Sequence, residues 1–319
     1  MKFKRAMLAE PHRFEVYEVD EEPGFGEVLI KIEGCGLCNW ELGFWHGELN
    51  FEGYPHKLGH EFAGTVVKLG EGCTKLKVGD KVSAMDGMGG YGEYLVVHEY
   101  WCEKLADHID PKIAFGEPQK CAITVLDATA PRPGDYGIIL GCGPMGLWCI
   151  QALAGRYLGA LIAIDIDDQK LELAKKYGAT HVINNGKEDM DAVVADITGG
   201  HMADFVIEGT GIPALLNRAQ DLCFNGPNAR LVLMSSHHGV TPEFDFRKAV
   251  DRGLSILVPH PPYAKDPRDD FRRAVVLMNN HTFYNDDMVT HRFGLEDMNT
   301  AFEMLDKKPK DFVKGVFIP

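Results

Sequence analysis

The segment Ile138-Ile139-Leu140-Gly141-Cys142-Gly143-Pro144-Met145-Gly146 constrains this chain more than any other. An apolar run enters GxGxxG, and Leu147 to Leu158 then carries apolar residues at helical spacing, so the pattern predicts strand, tight turn and helix. Gly141 permits the turn, Gly143 lets backbone approach a pyrophosphate, and Gly146 lets the helix pack close on the strand. The helix N-terminus, opened by Pro144 and Met145, offers its N–H groups to the anion. The next strand, Leu161-Ile162-Ala163-Ile164-Asp165, ends in a carboxylate at about the ~20-residue spacing at which dinucleotide folds hold the ribose hydroxyls. That carboxylate repels a 2′-phosphate, and Ile166, Asp167 and Asp168 bring no arginine, so NAD is expected rather than NADP. A solvated helix N-cap is the plainer role for an aspartate here, and it better suits Asp167 or Asp168 ahead of Gln169–Tyr177.

The alternation continues with Ala203–Glu208 before Gly209-Thr210-Gly211, a helix to about Cys223, and a strand over Arg230–Ser235. Such a series predicts a doubly wound parallel sheet. Gly209 and Thr210 would lie at its carboxyl edge, where cofactors bind, although a left-handed turn explains the glycines nearly as well. Residues 1 to about 118 read differently. Short β-like runs punctuated by glycine (Glu27–Ile32, Gly64–Leu69, Tyr94–Val97) predict an antiparallel, barrel-like lobe. A chain of 319 residues exceeds what one core organises, so two domains are expected, with the boundary between Glu117 and Pro133.

With 45% apolar and 25% charged residues the chain has the composition of a folded globular protein rather than a disordered one. No apolar run approaches the roughly 18 residues of a membrane span, and Met1 to Asp20 alternates charge with apolar residues instead of forming a signal-peptide core. A cytoplasmic protein without a membrane partner is expected. The net charge of −14 leaves no basic field for a phosphate backbone, which argues against nucleic acid. Eight cysteines spread along so long a chain suit reduced thiols. Cys35 and Cys38 form a CxxC, but no second CxxC completes a four-thiolate metal site.

Three places in the first lobe offer zinc-type ligands: Cys38, His60 with Glu61, and Glu117. A thiolate, an imidazole and a carboxylate from separate loops form an open site of the kind catalytic zinc requires. Each residue also has a bland role: a buried thiol for Cys38, a hydrogen-bonded turn for His60, surface charge for Glu61 and Glu117.

The whole chain resembles the medium-chain dehydrogenase/reductase superfamily, and within it the zinc-dependent alcohol and polyol dehydrogenases. Gly34–Cys38 is similar to the family's first-ligand segment, Gly59-His60-Glu61 to its GHE signature, Val78–Val82 to the turn that follows, and Gly116-Glu117-Pro118 to the place where polyol dehydrogenases carry a glutamate. The resemblance implies a GroES-like β-barrel catalytic domain over residues 1–118 and 262–319, with a Rossmann-type NAD-binding domain over 119–261. It implies Cys38 and His60 as the firmest zinc ligands, with Glu61 and Glu117 bound directly or just behind them. Glu41 resembles the family's carboxylate that orients the ligand histidine. A small alcohol, polyol or sugar is the implied substrate, and a homodimer or homotetramer the implied assembly.

Two departures from the family pattern stand out. No four-cysteine lobe follows Gly79-Asp80, so one catalytic zinc and no structural zinc is expected. The family's Ser or Thr proton relay, two residues after the first ligand, is replaced by Trp40; a metal-bound water, Glu117 or His46 are the candidates for its role. The expected chemistry is alcohol oxidation by hydride transfer to the nicotinamide, with zinc polarising the substrate oxygen. The alternatives are a zinc-free NADPH-dependent quinone or enone reductase of the same fold, and an inactive dinucleotide-binding protein.

Overall fold

A computed structural model describes residues 1–51, 53–235 and 244–319. The chain divides into two units, Met1–Lys120 with Arg268–Pro319, and Cys121–Pro267. In the first unit β1 (Lys2–Glu10) and β2 (Arg13–Asp20) pair as an antiparallel hairpin. They are followed by β3 (Glu27–Gly36), the short helix α1 (Leu42–Trp45), β4 (Glu61–Leu69), β5 (Lys81–Ala84), β6 (Tyr94–His98), β7 (Cys102–Lys104) and the start of helix α2 (Gly116–Thr129).

The second unit alternates strand and helix, as the apolar runs predict: β8 (Tyr136–Leu140), α3 (Pro144–Leu153), β9 (Ala160–Asp165), α4 (Asp168–Lys176), β10 (His181–Asn184), α5 (Met190–Ile197), β11 (Phe205–Glu208), α6 (Pro213–Leu222), β12 (Arg230–Leu233), α7 (Phe246–Arg252) and β13 (Ser255–Leu257). The six strands form one parallel sheet in the order β10-β9-β8-β11-β12-β13. One face packs Ile138, Leu140, Ile162, Ile164, Val206 and Leu231 into a core, and the alternate positions Ile139, Ala163, Ile207 and Val232 are buried as well, so both faces are covered as a parallel sheet demands. The glycine-motif helix is shorter than its apolar pattern suggests. It ends at Leu153 rather than Leu158, because Gly155 turns left-handed at φ +67° and Tyr157 swings out to solvent.

The chain then returns to the first unit through α8 (Pro267–Asn279), β14 (Val289–Phe293), α9 (Met298–Lys307) and β15 (Lys314–Phe317). There the sheet order is β14-β15-β3-β4-β5-β7, with β6 also paired to β3. Pairing there is antiparallel except between β14 and β15, and inward aromatic residues give this unit its own core, in which Phe14, Trp45, Phe62, Tyr91, Phe302 and Phe317 meet. No helix among the described residues is long and apolar enough to cross a membrane.

Candidate metal and cofactor sites

Strand register brings the ligand-type residues together. β3 and β4 pair so that Gly36 faces Glu61, which leaves Cys38 two residues beyond the end of one strand and His60 one residue before the start of the other, at the same edge. β15 pairs on the other side of β3 with Val316 opposite Gly36, and the Leu37 amide donates to the Gly315 carbonyl, so Lys314 arrives at that edge too. Sulfur, nitrogen and carboxylate oxygen of Cys38, His60 and Glu61 lie within 4.8 Å of one another. Among the described residues they are the one group of three or more His, Cys, Asp or Glu side chains so gathered.

Glu41 sets the imidazole. It is fully buried, and its Oε1 accepts from the Gly59 amide at 2.7 Å and from His60 Nδ1 at 2.9 Å. A carboxylate only accepts, so Nδ1 carries a proton in either charge state, and Nε2 is the nitrogen that holds the lone pair once the ring is neutral. Nε2 points toward Glu117, whose Oε2 is 3.9 Å away. Trp40 lies edge-on to the His60 ring at 5.8 Å and to Phe44 at 5.1 Å, while staying half exposed.

Both carboxylates have an ammonium partner. Lys314 Nζ, itself buried, donates to Glu61 Oε2 at 2.5 Å and to the Leu37 carbonyl at 2.9 Å. Lys120, one helical turn after Glu117, donates to Glu117 Oε1. Burial pushes the Cys38 thiol up, against the pull of His60. Burial opposes charging of His60, but Glu41 and Cys38 override it and hold the imidazole well above its ordinary value. Glu61 is raised by burial despite Lys314. Such a cluster holds surplus protons unless a cation replaces them.

The donor set fits zinc. A tetrahedral ion with bonds of about 2.0–2.3 Å needs ligand atoms roughly 3.3–3.7 Å apart, within a small contraction of the arrangement seen. The set contains a sulfur, an oriented imidazole and carboxylates, with Glu117 at the margin. Lys314, Lys120 and Tyr91, whose hydroxyl reaches Glu41 Oε2 at 2.5 Å, are absent from the sequence reading. Only Lys120 has a local signal, its i,i+3 spacing from Glu117. The other relay candidate, His46, bonds Asp306 at 3.1 Å and lies edge-on against His12.

In the second unit the glycine motif has the shape a dinucleotide needs. Gly141 adopts φ +99° with Gly209 and Thr210 packed against it, and a Cβ on Gly146 would sit 2.1 Å from the Gly141 carbonyl oxygen. A Cβ on Gly143 would meet nothing within 4 Å, so the backbone is bare where α3 begins with Pro144 and Met145. Asp165 Oδ2 accepts from the Cys142 amide at 2.7 Å, and Oδ1 from the amides of Ile166 and Asp167 at 2.7 and 3.0 Å. The helix cap is Asp167, which bonds the Gln169 amide. Thr210 bonds Glu208 through both its amide and its hydroxyl.

Comparisons with known proteins agree. Residues 24–107 match the family described as the alcohol dehydrogenase GroES-like domain, and residues 144–280 match the zinc-binding dehydrogenase family. A zinc-type alcohol dehydrogenase-like protein of Haemophilus influenzae is 30% identical over 98% of both chains. The (R,R)-butanediol dehydrogenase of Bacillus subtilis is 28% identical over 89% of each. A crystal structure of an Escherichia coli oxidoreductase of unknown specificity superposes with a TM-score of 0.90 at 27% identity, covering 100% of this chain and 99% of that one. The chain belongs to the medium-chain dehydrogenase/reductase superfamily, in its zinc-type alcohol and polyol dehydrogenase branch. It is accordingly an oxidoreductase that acts on alcohols with a nicotinamide cofactor.

Proposed function

We propose that the protein is a zinc- and NAD-dependent dehydrogenase that interconverts a secondary alcohol, polyol or sugar-type substrate and its ketone. The observation that carries this reading is the convergence of Cys38, His60 and Glu61, with His60 held by Glu41 so that Nε2 is free to ligate. When bound, zinc supplies Lewis-acid polarisation of an alcohol oxygen, and NAD the acceptor of the hydride.

The chain's own groups do the rest. Cys38, His60 and Glu61 would hold the ion, with Glu117 as a further or exchanging ligand. Lys314 and Lys120 fix the two carboxylates and offset their charge. Trp40 shields one edge of His60 from water and forms a wall beside the ligands. With His46 committed to Asp306, Glu117 Oε2 is the side-chain atom among the relay candidates that lies beside His60. Gly141, Gly143 and Gly146 would let the backbone accept a pyrophosphate, with Gly209 and Thr210 backing that turn, and Asp165 would favour ribose hydroxyls over a 2′-phosphate. The assembly is proposed to be a homodimer or homotetramer working in the cytoplasm.

Elemental analysis of the purified protein, with NAD and NADP reduction measured across a panel of polyols and secondary alcohols, tests this. About one zinc per chain and NAD-linked polyol oxidation is the expected result. A metal-free protein reducing quinones with NADPH, or one that binds dinucleotide without turnover, would sink it.

A further inference from the structure

We propose that Tyr91 is a positioning residue of the metal site, its hydroxyl orienting Glu41 and through Glu41 the His60 imidazole. This rests on the zinc-dependent reading given above.

Tyr91 is fully buried, and its ring is fixed by edge contacts to Phe14, Phe302 and Phe317 at centroid distances of 6.3, 5.9 and 5.8 Å. A phenylalanine would satisfy those contacts equally well. The hydroxyl is the part that packing does not explain, and it lies 2.5 Å from Glu41 Oε2 and 3.3 Å from the Gly36 carbonyl oxygen. Both possible partners are acceptors, so the phenol donates. Glu41 thereby has one oxygen committed to Tyr91 and the other to the Gly59 amide and His60 Nδ1. A carboxylate held at both oxygens cannot rotate, and a fixed Oε1 keeps the proton on Nδ1.

The backbone supports the same chain of contacts. The amides of Gly89 and Gly90 donate to the Gly59 carbonyl, and the Tyr91 carbonyl accepts from Ala6. Gly59 sits at φ +92°, where a Cβ would lie 2.7 Å from the Tyr91 nitrogen. The segment that delivers the phenol is therefore seated directly against the loop that presents His60. It is also the segment that runs where the sequence carries no four-cysteine lobe.

The experiment compares wild type with Tyr91→Phe in two ways. ¹⁵N NMR of histidine-labelled, metal-free protein, taken at a pH alkaline enough to leave the ring neutral, reads the His60 tautomer, and Co²⁺ titration followed by thiolate-to-metal absorption reads affinity. The expected result is an Nδ1–H tautomer in wild type, a growing Nε2–H population in Tyr91→Phe, and a Kd for Co²⁺ raised about 10- to 100-fold. 4-Fluorophenylalanine at 91 fills the phenol's volume without a donor, and serves if Tyr91→Phe does not fold. 4-Aminophenylalanine restores a donor and should recover the wild-type tautomer. A folded variant with an unchanged tautomer and a Kd within about two-fold of wild type overturns the proposal. A wild-type protein that takes up neither Co²⁺ nor Zn²⁺ overturns the functional reading instead, and the tautomer comparison alone then decides the role of Tyr91.

Discussion

His60 can ligate a cation through Nε2 because Glu41 has already claimed Nδ1, and Cys38 can join it because a cation makes the buried thiolate tolerable. Removing the sulfur leaves too few donors: Cys38→Ala should purify with less than about one-tenth of an equivalent of zinc and with no measurable alcohol oxidation. Asp165 holds three backbone amides and, in the proposed reading, also meets the ribose of the cofactor. Asp165→Ser should weaken NAD binding at least about ten-fold and narrow the preference over NADP. It should also lower the melting temperature, because three backbone amides lose their acceptor; paired measurements of Kd and Tm separate the two effects. At this scale the glycines of the cofactor turn and the 38/60/61 grouping were readable, since each lies in a short contiguous motif. Lys314 was not, because 253 residues separate it from Glu61 and no spacing rule spans that distance.

Among elements, β3 matters most, because its register against β4 and β15 decides which side chains share an edge. Gly36 is the close point: a Cβ there would lie 2.0 Å from Glu61 Oε2 and 3.1 Å from Lys314 Cε. Gly36→Ala should cost about 1–3 kcal/mol in denaturant unfolding and weaken zinc retention against a chelator. The loop after β4 is held by Glu99. Burial alone would raise that carboxyl, but the amides of Thr74, Lys75 and Leu76 outweigh it and keep it below its ordinary value of 4.5. A group with a folded value below its unfolded one stabilises above the unfolded value and loses that contribution as the pH falls through the folded one. Urea unfolding from pH 7 to pH 3 should therefore show wild type losing more stability than Glu99→Gln, which starts about 1–3 kcal/mol lower. Strand and helix identities in the second unit followed from apolar periodicity. The end of α3 did not, because Leu153 to Leu158 keeps a helical apolar pattern while Gly155 breaks the backbone.

For the molecule as a whole, the two units have separate cores and carry separate candidate sites. Each ligand should therefore stabilise its own unit. Calorimetry is expected to show zinc raising the transition of Met1–Lys120 with Arg268–Pro319, and NAD that of Cys121–Pro267, each by about 2.7 kcal/mol at a hundred-fold excess over Kd. A single transition raised equally by both would contradict this. The two-unit architecture was legible from the change of texture near the glycine motif. The return of the C-terminal segment to the first unit was implied only by family resemblance, because strand pairing across so many residues has no local signature.

The pairing of Glu61 with Lys314 also fixes a schedule. The cysteine and histidine loops leave the ribosome early, but the ammonium that offsets Glu61 is made 253 residues later, roughly 13–50 s at ordinary rates of synthesis. Until β15 has been made, Lys314 does not offset that charge, so the finished electrostatics of this edge must wait for it.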